Sequence, residues 1–516
     1  MRTIIAAAIA SLCLVPPPHA QAADLRVGLA ASTTSMDPQF YVVGPNSAMA
    51  RNIFDGLINQ DAAQRLVPAL ALSWKPLDDT TWLFTLRPGV TFHDGSDFTS
   101  ADVVASIKRV ALASANSPSS FMPYVQEIAE VVADGPLSVR IRTKGAAPLL
   151  PNNLSRIAIL PEAVATMGTT ALNAGQGVIG TGPYHFVSWS PDDNIVLARN
   201  TAYWGDAPDW DHVTFRIIRN PSARTAALLA GDIDVIEAVP TTDVKTIEAN
   251  PALKLVSVAS NRVMYLHMDQ GRDTSPFATG ADGRNPLVKP EVRRAMSLAI
   301  NRQALVDRVM DGQGAPAGQL VPDHYFGWSP TLKPDPYDPQ RAKALLAQAG
   351  YPDGFTLTFH ATNDRYPNDA RLAQAIGQML TRAGIKVAVE TMPGSVYFAR
   401  ASKLEFSLIM GGAAVETGEA ASVLGPLLAT FSPTTGQGNR GRYSSAAFDA
   451  ALNAAMATVD APARDALLQK AMDIGMGAVG VVPLFFLANT WAVKSGFTLQ
   501  GRADGYTLAS DIHPKK

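Results

Sequence analysis

The sequence predicts an α/β protein of two or more lobes with mixed sheets, and three observations predict it. The chain has 516 residues, more than one hydrophobic core can serve. Residues 286–389 alternate helix-like and strand-like segments, which implies a parallel sheet with helices on its faces. Residues 184–218 read instead as three short strands separated by turn residues, an antiparallel meander.

The N-terminus reads as a processing segment. Arg2 is a positive n-region, Ile4 to Val15 a short apolar run, and Ala20-Gln21-Ala22 an A-x-A cleavage pattern. A signal peptide over residues 1–22, export to the periplasm and cleavage after Ala22 are expected. Cys13 is the only cysteine, and Ala10-Ser11-Leu12 before it do not form a lipoprotein cleavage site. The mature chain is then free of lipid and of cysteine, which removes disulfides, thiolate metal sites and cysteine nucleophiles together. Apolar residues make up 47% and charged residues 17%, as in globular proteins. A formal net charge of −2 argues against nucleic-acid binding. No uninterrupted apolar run of about 18 residues follows the N-terminus, so the body is not read as membrane-embedded.

In chain order, Leu25 to Leu29 is a strand, followed by the turn signal Asp37-Pro38. Trp82 to Leu86 alternates as a strand. Thr99 with Asp102 three residues on forms a capping box, and Val103, Val104, Ile107 and Val110 share one helical face. Gly180 and Gly182 flank Thr181 before Pro183, a segment read as tight turns. The strands Tyr184 to Trp189, Ile195 to Ala198 and Val213 to Ile218 follow. Arg262 to Gln270 is a strand and crossover. Helices start at Pro290 and at Asp338-Pro339, the second stopped by Gly350. Phe355 to Phe359 is a strand, Ala370 to Arg382 a helix ended by Gly384, and Ile385 to Val389 a strand. Phe406 to Ile409 is a strand leading into a loop over residues 410–419, and Val481 to Trp491 is a final apolar strand.

Two stretches match G-x-G-x-x-G, at Gly175–Gly180 and Gly475–Gly480. A dinucleotide site needs strand, glycines and helix in that order, so that a helix N-terminus meets the pyrophosphate. The first match runs into Pro183 and the second follows a helix, so both read as loops. No P-loop, H-E-x-x-H or G-x-S-x-G occurs, and the histidines lack ligand spacing. No catalytic residue, metal or cofactor is expected. Trp74, Trp82, Trp189, Trp204 and Trp210 are read as packing residues.

Residues 180–219, GTGPYHFVSWSPDDNIVLARNTAYWGDAPDWDHVTFRIIR, resemble a signature of the large extracytoplasmic solute-binding proteins of peptide and nickel ABC importers. The block LVPALALSW…LRPGVTFHDGSDFTSADVVASIKR resembles the second signature of that family. VRRAMSLAINRQALVDRV and DPQRAKALLAQAGYPDGFTLTF match it as well, so the likeness covers the whole mature chain. It implies a two-lobed periplasmic binding protein with a hinge of two crossover strands. A first lobe would comprise 24–270 plus 480–516 with a sub-domain over about 50–180, and a second lobe 271–479. It implies a monomer that carries a short peptide or peptide-like solute to an inner-membrane permease. An opine, an oligosaccharide or a metal chelate is an alternative solute, and an exported hydrolase is the rival class. Peptide-binding relatives carry G-W-x-x-D in the 410–419 loop, whose Asp pairs the ligand ammonium. This loop has neither Trp nor Asp, leaving Glu416 and Glu419 as candidates for that role. The resemblance also places Tyr265, His267 and Asp269, Arg365 and Tyr366, and Asn489 and Trp491 at the cleft, with Arg365 as a carboxylate receptor.

Overall fold

The computed structural model describes residues 24–515; the expected signal peptide over 1–22, with Cys13, lies outside them. One long mixed sheet runs through the molecule. Its strands follow the order Ala278–Thr279, Thr356–Thr362, Leu408–Ala414, Leu253–Met268, Val482–Lys494, Val235–Glu237, Asp24–Leu29, His212–Ile217, Asn194–Arg199 and Tyr184–Ser190. Lys386–Met392 adds to Thr356–Thr362 in parallel, as the strand–helix–strand reading requires. At the far end the expected meander forms, Tyr184–Ser190 and Asn194–Arg199 pairing antiparallel and Asn194–Arg199 with His212–Ile217.

Two strands carry the chain from one half of this sheet to the other. Leu253–Met268 pairs antiparallel with Val482–Lys494, first from Leu253 opposite Lys494 to Ala259 opposite Ala488. The register then shifts between Ala259 and Val263. Beyond the shift Arg262 to Met268 also pair with Ala414 to Leu408, so the strand has acquired a new neighbour. A bulge of this kind bends the strand and raises its twist.

Local chemistry explains the element ends. The Asp102 carboxylate accepts the Thr99 backbone N–H at 2.8 Å, closing one half of the capping box of helix Ser100–Ala113. Asp338 accepts from Arg341 N at 2.8 Å and starts helix Pro339–Gln348, and Gly350 follows at φ +93°. Around the sheet the apolar faces close into separate cores. Leu25, Val27, Phe215 and Trp491 are buried in one, and Met264, Phe359, Leu408 and Phe485 in another. The strands Ala71–Asp78, Thr81–Leu86, Ser138–Thr143 and Ile128–Ala133 form a sheet of their own, covered by helix Ser100–Ala113.

Two expectations change. Gly180 and Gly182 are not left-handed turn residues; a Cβ on Gly180 would lie 2.1 Å from the Ile53 carbonyl oxygen, and one on Gly182 2.5 Å from the Ile53 carbonyl carbon. They are glycine because another strand of backbone passes against them. Residues 410–414 are not loop: the strand is Leu408–Ala414, extended by its pairing with Arg262 to Met268. Among the described residues no helix is long and apolar enough to cross a membrane.

Candidate functional site

The strand directions locate the site. Asp24–Leu29, Val235–Glu237 and His212–Ile217 run parallel, and Val235–Glu237 is antiparallel to Val482–Lys494, with Glu237 opposite Trp491. Their C-terminal ends therefore face the crossover. Thr356–Thr362 and Leu408–Ala414 are also parallel, and Ala414 lies opposite Arg262 at the same crossover from the other side. The loops that follow these strands, about residues 30–37, 218–220, 363–368 and 415–419, thus leave the sheet on the side of the crossover. Ligands of open α/β sheets sit beyond strand C-termini.

On the second-half wall, glycine makes room for tyrosine. A Cβ on Gly411 would meet the Tyr265 hydroxyl at 2.8 Å, and one on Gly412 would meet Tyr366 Cε1 at 2.9 Å. The Gly412 N–H donates to the Tyr366 hydroxyl oxygen at 3.1 Å. The exposed Arg365 guanidinium lies 5.3 Å from the Tyr366 ring centre, a cation–π distance that leaves its N–H fork open to solvent. Asp369 fixes the loop by accepting the backbone N–H groups of Arg365 and Tyr366 at 3.0 and 3.2 Å.

The other expected residues have partners within the protein. His267 is buried with Nε2 3.2 Å from the Leu427 carbonyl, so Nε2 carries the proton, and Nδ1 has no partner among the described residues. Burial holds its pKa down at about 3, because protonation would put an unpaired N–H and a charge in the core. Tyr265 packs edge-on to His267, and burial pushes its phenol well above the ordinary range. Asp269 accepts from Arg272 Nε at 2.6 Å and Ser275 Oγ at 2.5 Å. Trp491 Nε1 donates to Thr507 Oγ1 at 2.9 Å, and the Asn489 amide donates to the carbonyls of Arg502 and Ala503 at 3.0 and 2.9 Å. Glu419 is buried in an ion pair with Arg464; its pKa is raised by burial, with Arg464 opposing.

Glu416 is engaged across the cleft. Its carboxylate lies 3.2 Å from Arg156, whose guanidinium also donates to the Tyr506 hydroxyl at 3.1 Å. The Gln64 amide donates to the Glu416 carbonyl at 3.3 Å and the Asn152 amide to the Thr417 carbonyl at 2.9 Å. On the opposite rim the Asn368 amide donates to Thr241 Oγ1 at 3.1 Å. Sequence reasoning missed Arg156, Gln64 and Asn152, since pairs separated by some 260 residues or more leave no local pattern. Among the described residues no group of three or more His, Cys, Asp or Glu is placed to hold a metal.

A long mixed sheet with loops from both halves meeting at a two-strand crossover defines a two-lobed solute-binding protein. The chain belongs to the bacterial extracellular solute-binding proteins, family 5, whose middle-region model matches residues 65–434. The glutathione-binding protein GsiB of Pectobacterium atrosepticum is 30% identical over 484 residues, covering 92% of this chain and 90% of the relative. GsiB of Escherichia coli K12 is 29% identical over 463 residues, covering 88% and 87%. Among solved structures, HbpA2 from Haemophilus parasuis superposes with a TM-score of 0.81 at 23% identity, over 96% of this chain and all of that one. The periplasmic binding protein DppA from Helicobacter pylori in complex with the peptide STSA gives 0.72 at 26% identity, over 96% and 98%. MppA, a periplasmic murein tripeptide binding protein in an unliganded open form, gives 0.80 at 24% identity, over 96% and 98%.

Proposed function

We propose that this chain is the periplasmic solute-binding component of an ABC importer, and that it captures a short peptide between its lobes and delivers it unaltered to the membrane permease. The observation that carries the reading is the convergence of strand C-termini from both halves on one crossover. The glutathione-binding relatives make a tripeptide-sized solute the first to test. The lobes divide where the crossover strands change partners, near 259–263 and 486–488, and residues of about 50–180 form a sub-domain of the first. Arg365, exposed beside Tyr366, receives a ligand carboxylate bidentately. Glu419 is a structural ion pair, and Glu416 joins the lobes through Arg156. A ligand that touches both lobes binds the closed arrangement better and shifts the population toward it. No chemistry is required of the protein.

Isothermal titration of the mature protein with glutathione and with dipeptides tests this. One-to-one binding is expected, with the ligand recovered at unchanged mass. Loss of one charge-assisted pair in Arg365→Ala weakens binding by about 10- to 100-fold. A peptide recovered cleaved, or heat signals absent for every peptide tried, would overturn the reading.

A further inference from the structure

The charges left over at the crossover are positive. The carboxylates on the strand ends and loops there are engaged within the protein. Asp37 pairs with Arg109 at 2.8 Å, and Glu237 accepts from Ala30 N at 2.9 Å and Thr507 Oγ1 at 2.6 Å. Asp364 is committed to the N-terminus of helix Gly394–Ser402, where it accepts Gly394 N at 2.7 Å. Asp369 accepts the Thr362 hydroxyl at 2.7 Å besides the N–H groups of Arg365 and Tyr366. Glu416 is paired with Arg156 and Glu419 with Arg464. Arg365 and Arg262 differ from these. The Arg365 guanidinium meets only the face of Tyr366. The Arg262 guanidinium makes no ion pair and no hydrogen bond among the described residues.

Strand alternation brings both arginines to one ring. Arg262 lies opposite Ala414 and Met264 opposite Gly412, in a register unbroken from Arg262 to Met268. Residues two apart on a strand share a face, so Arg262 stands beside Met264 on that face, one pair nearer the crossover. Tyr366 covers the Met264–Gly412 pair: a Cβ on Gly412 would lie 2.9 Å from Tyr366 Cε1 and 3.0 Å from Met264 Sδ. The Arg365 guanidinium is 5.3 Å from the centre of the same ring. Arg262 is half-buried, where a charge is less screened than at an open surface. A solute with one carboxylate and one ammonium would leave one arginine unpaired, and its ammonium would meet no free carboxylate. A solute with an additional carboxylate satisfies both arginines.

We propose that the solute is an acidic peptide, carrying a side-chain carboxylate beyond its C-terminal one, and that Arg262 is the residue that selects it. The proposal rests on the peptide reading above and assigns the C-terminal carboxylate to Arg365 as before. Its test compares isosteres that differ only in charge: Glu-Gly-Gly, Gly-Glu-Gly and Gly-Gly-Glu, each against its glutamine counterpart. Calorimetry on the mature protein should show at least one glutamate peptide binding about tenfold or more tighter than its counterpart, the scale of one charge-assisted pair. Arg262→Gln and Arg262→Met bring that ratio near one, whereas Arg262→Lys, which keeps the charge, retains most of it. Arg365→Ala weakens both members of the pair and preserves their ratio. Circular dichroism melts identify a variant that fails to fold, and the other neutral variant decides. If every glutamate peptide binds like its counterpart, or the ratio survives in a folded neutral variant of Arg262, this proposal is overturned and the peptide reading stands. If no peptide of either set binds, the peptide reading falls and this proposal with it.

Discussion

At the residue scale the clearest lesson comes from His267. Its place on a strand bound for the cleft makes it a candidate, yet it stands in the core with one ring nitrogen unpartnered among the described residues. From Val263 to Met268 every residue is buried, so both faces of the strand are covered and alternation holds no sign of which side meets solvent. Tyr265 and Trp491 share that ambiguity, whereas Arg365, in a polar stretch after a strand, was legible as exposed. His267 also makes a pH prediction. Its unfolded pKa is about 6.5, and its native value is about 3. The unfolded state therefore binds the proton first. Stability is full above pH of about 6.5 and falls as pH drops from there toward the native value. The whole shift is worth on the order of 5 kcal/mol, of which about 2 kcal/mol is lost by a pH of about 5. His93, held down at about 4 by burial, adds a loss of the same sign. Urea midpoints at neutral and mildly acidic pH should show a shallower acid loss in His267→Gln than in wild type. Parallel profiles would mean that the histidine is not kept neutral.

At the scale of single elements, the sequence placed most of the helix–strand alternation of residues 290–392, because caps and breakers are local. Asp338 and Gly384 act within a few residues of themselves, and the structure puts them where the pattern did. The strand Leu408–Ala414 runs past the expected end at Ile409, where a Gly-Gly pair is a local loop signal. Its glycines are there to admit the rings of Tyr265 and Tyr366, and the pairing that extends it comes from residues about 150 positions away. The same confusion affects the signature glycines and yields a measurable contrast. Gly89 has φ +71° and nothing within 4 Å of an added Cβ, so Gly89→Ala costs only the left-handed backbone, about 1 kcal/mol. Gly180 has ordinary backbone angles, but a Cβ there would overlap the Ile53 carbonyl, which also accepts the Gly182 N–H at 2.9 Å. Backbone cannot yield as a side-chain tip does, so Gly180→Ala should cost about 3 kcal/mol or more. Thermal melts of the two variants decide; equal losses would return Gly180 to the class of turn residues.

For the whole molecule, composition and length announced more than one core, but nothing in the apolar run ending at Trp491 told where it would change neighbours. That point is set by the shift between Ala259 and Val263 and by contacts between residues hundreds of positions apart. It makes this crossover the natural pivot, since among the described residues two strands join the halves of the sheet there. The bonds that oppose rotation about it include Arg156 with Glu416, Gln64 with the Glu416 carbonyl and the Tyr325 hydroxyl, Asn152 with the Thr417 carbonyl, Ser257 with Gln313, and Asn368 with Thr241. Such pairs, partly wet, are worth about 1 kcal/mol each, within reach of a micromolar ligand's roughly 8 kcal/mol. A ligand at about 100 times its Kd adds about 2.7 kcal/mol to stability, which for a chain this long raises Tm by about 3 °C. Stabilisation alone says nothing of motion, so small-angle scattering must be recorded on the same samples. The radius of gyration should fall on saturation and return on dialysis. A ligand that raises Tm by that amount while the scattering profile stays fixed would show binding to one lobe only, and the crossover would then be a spacer rather than a pivot.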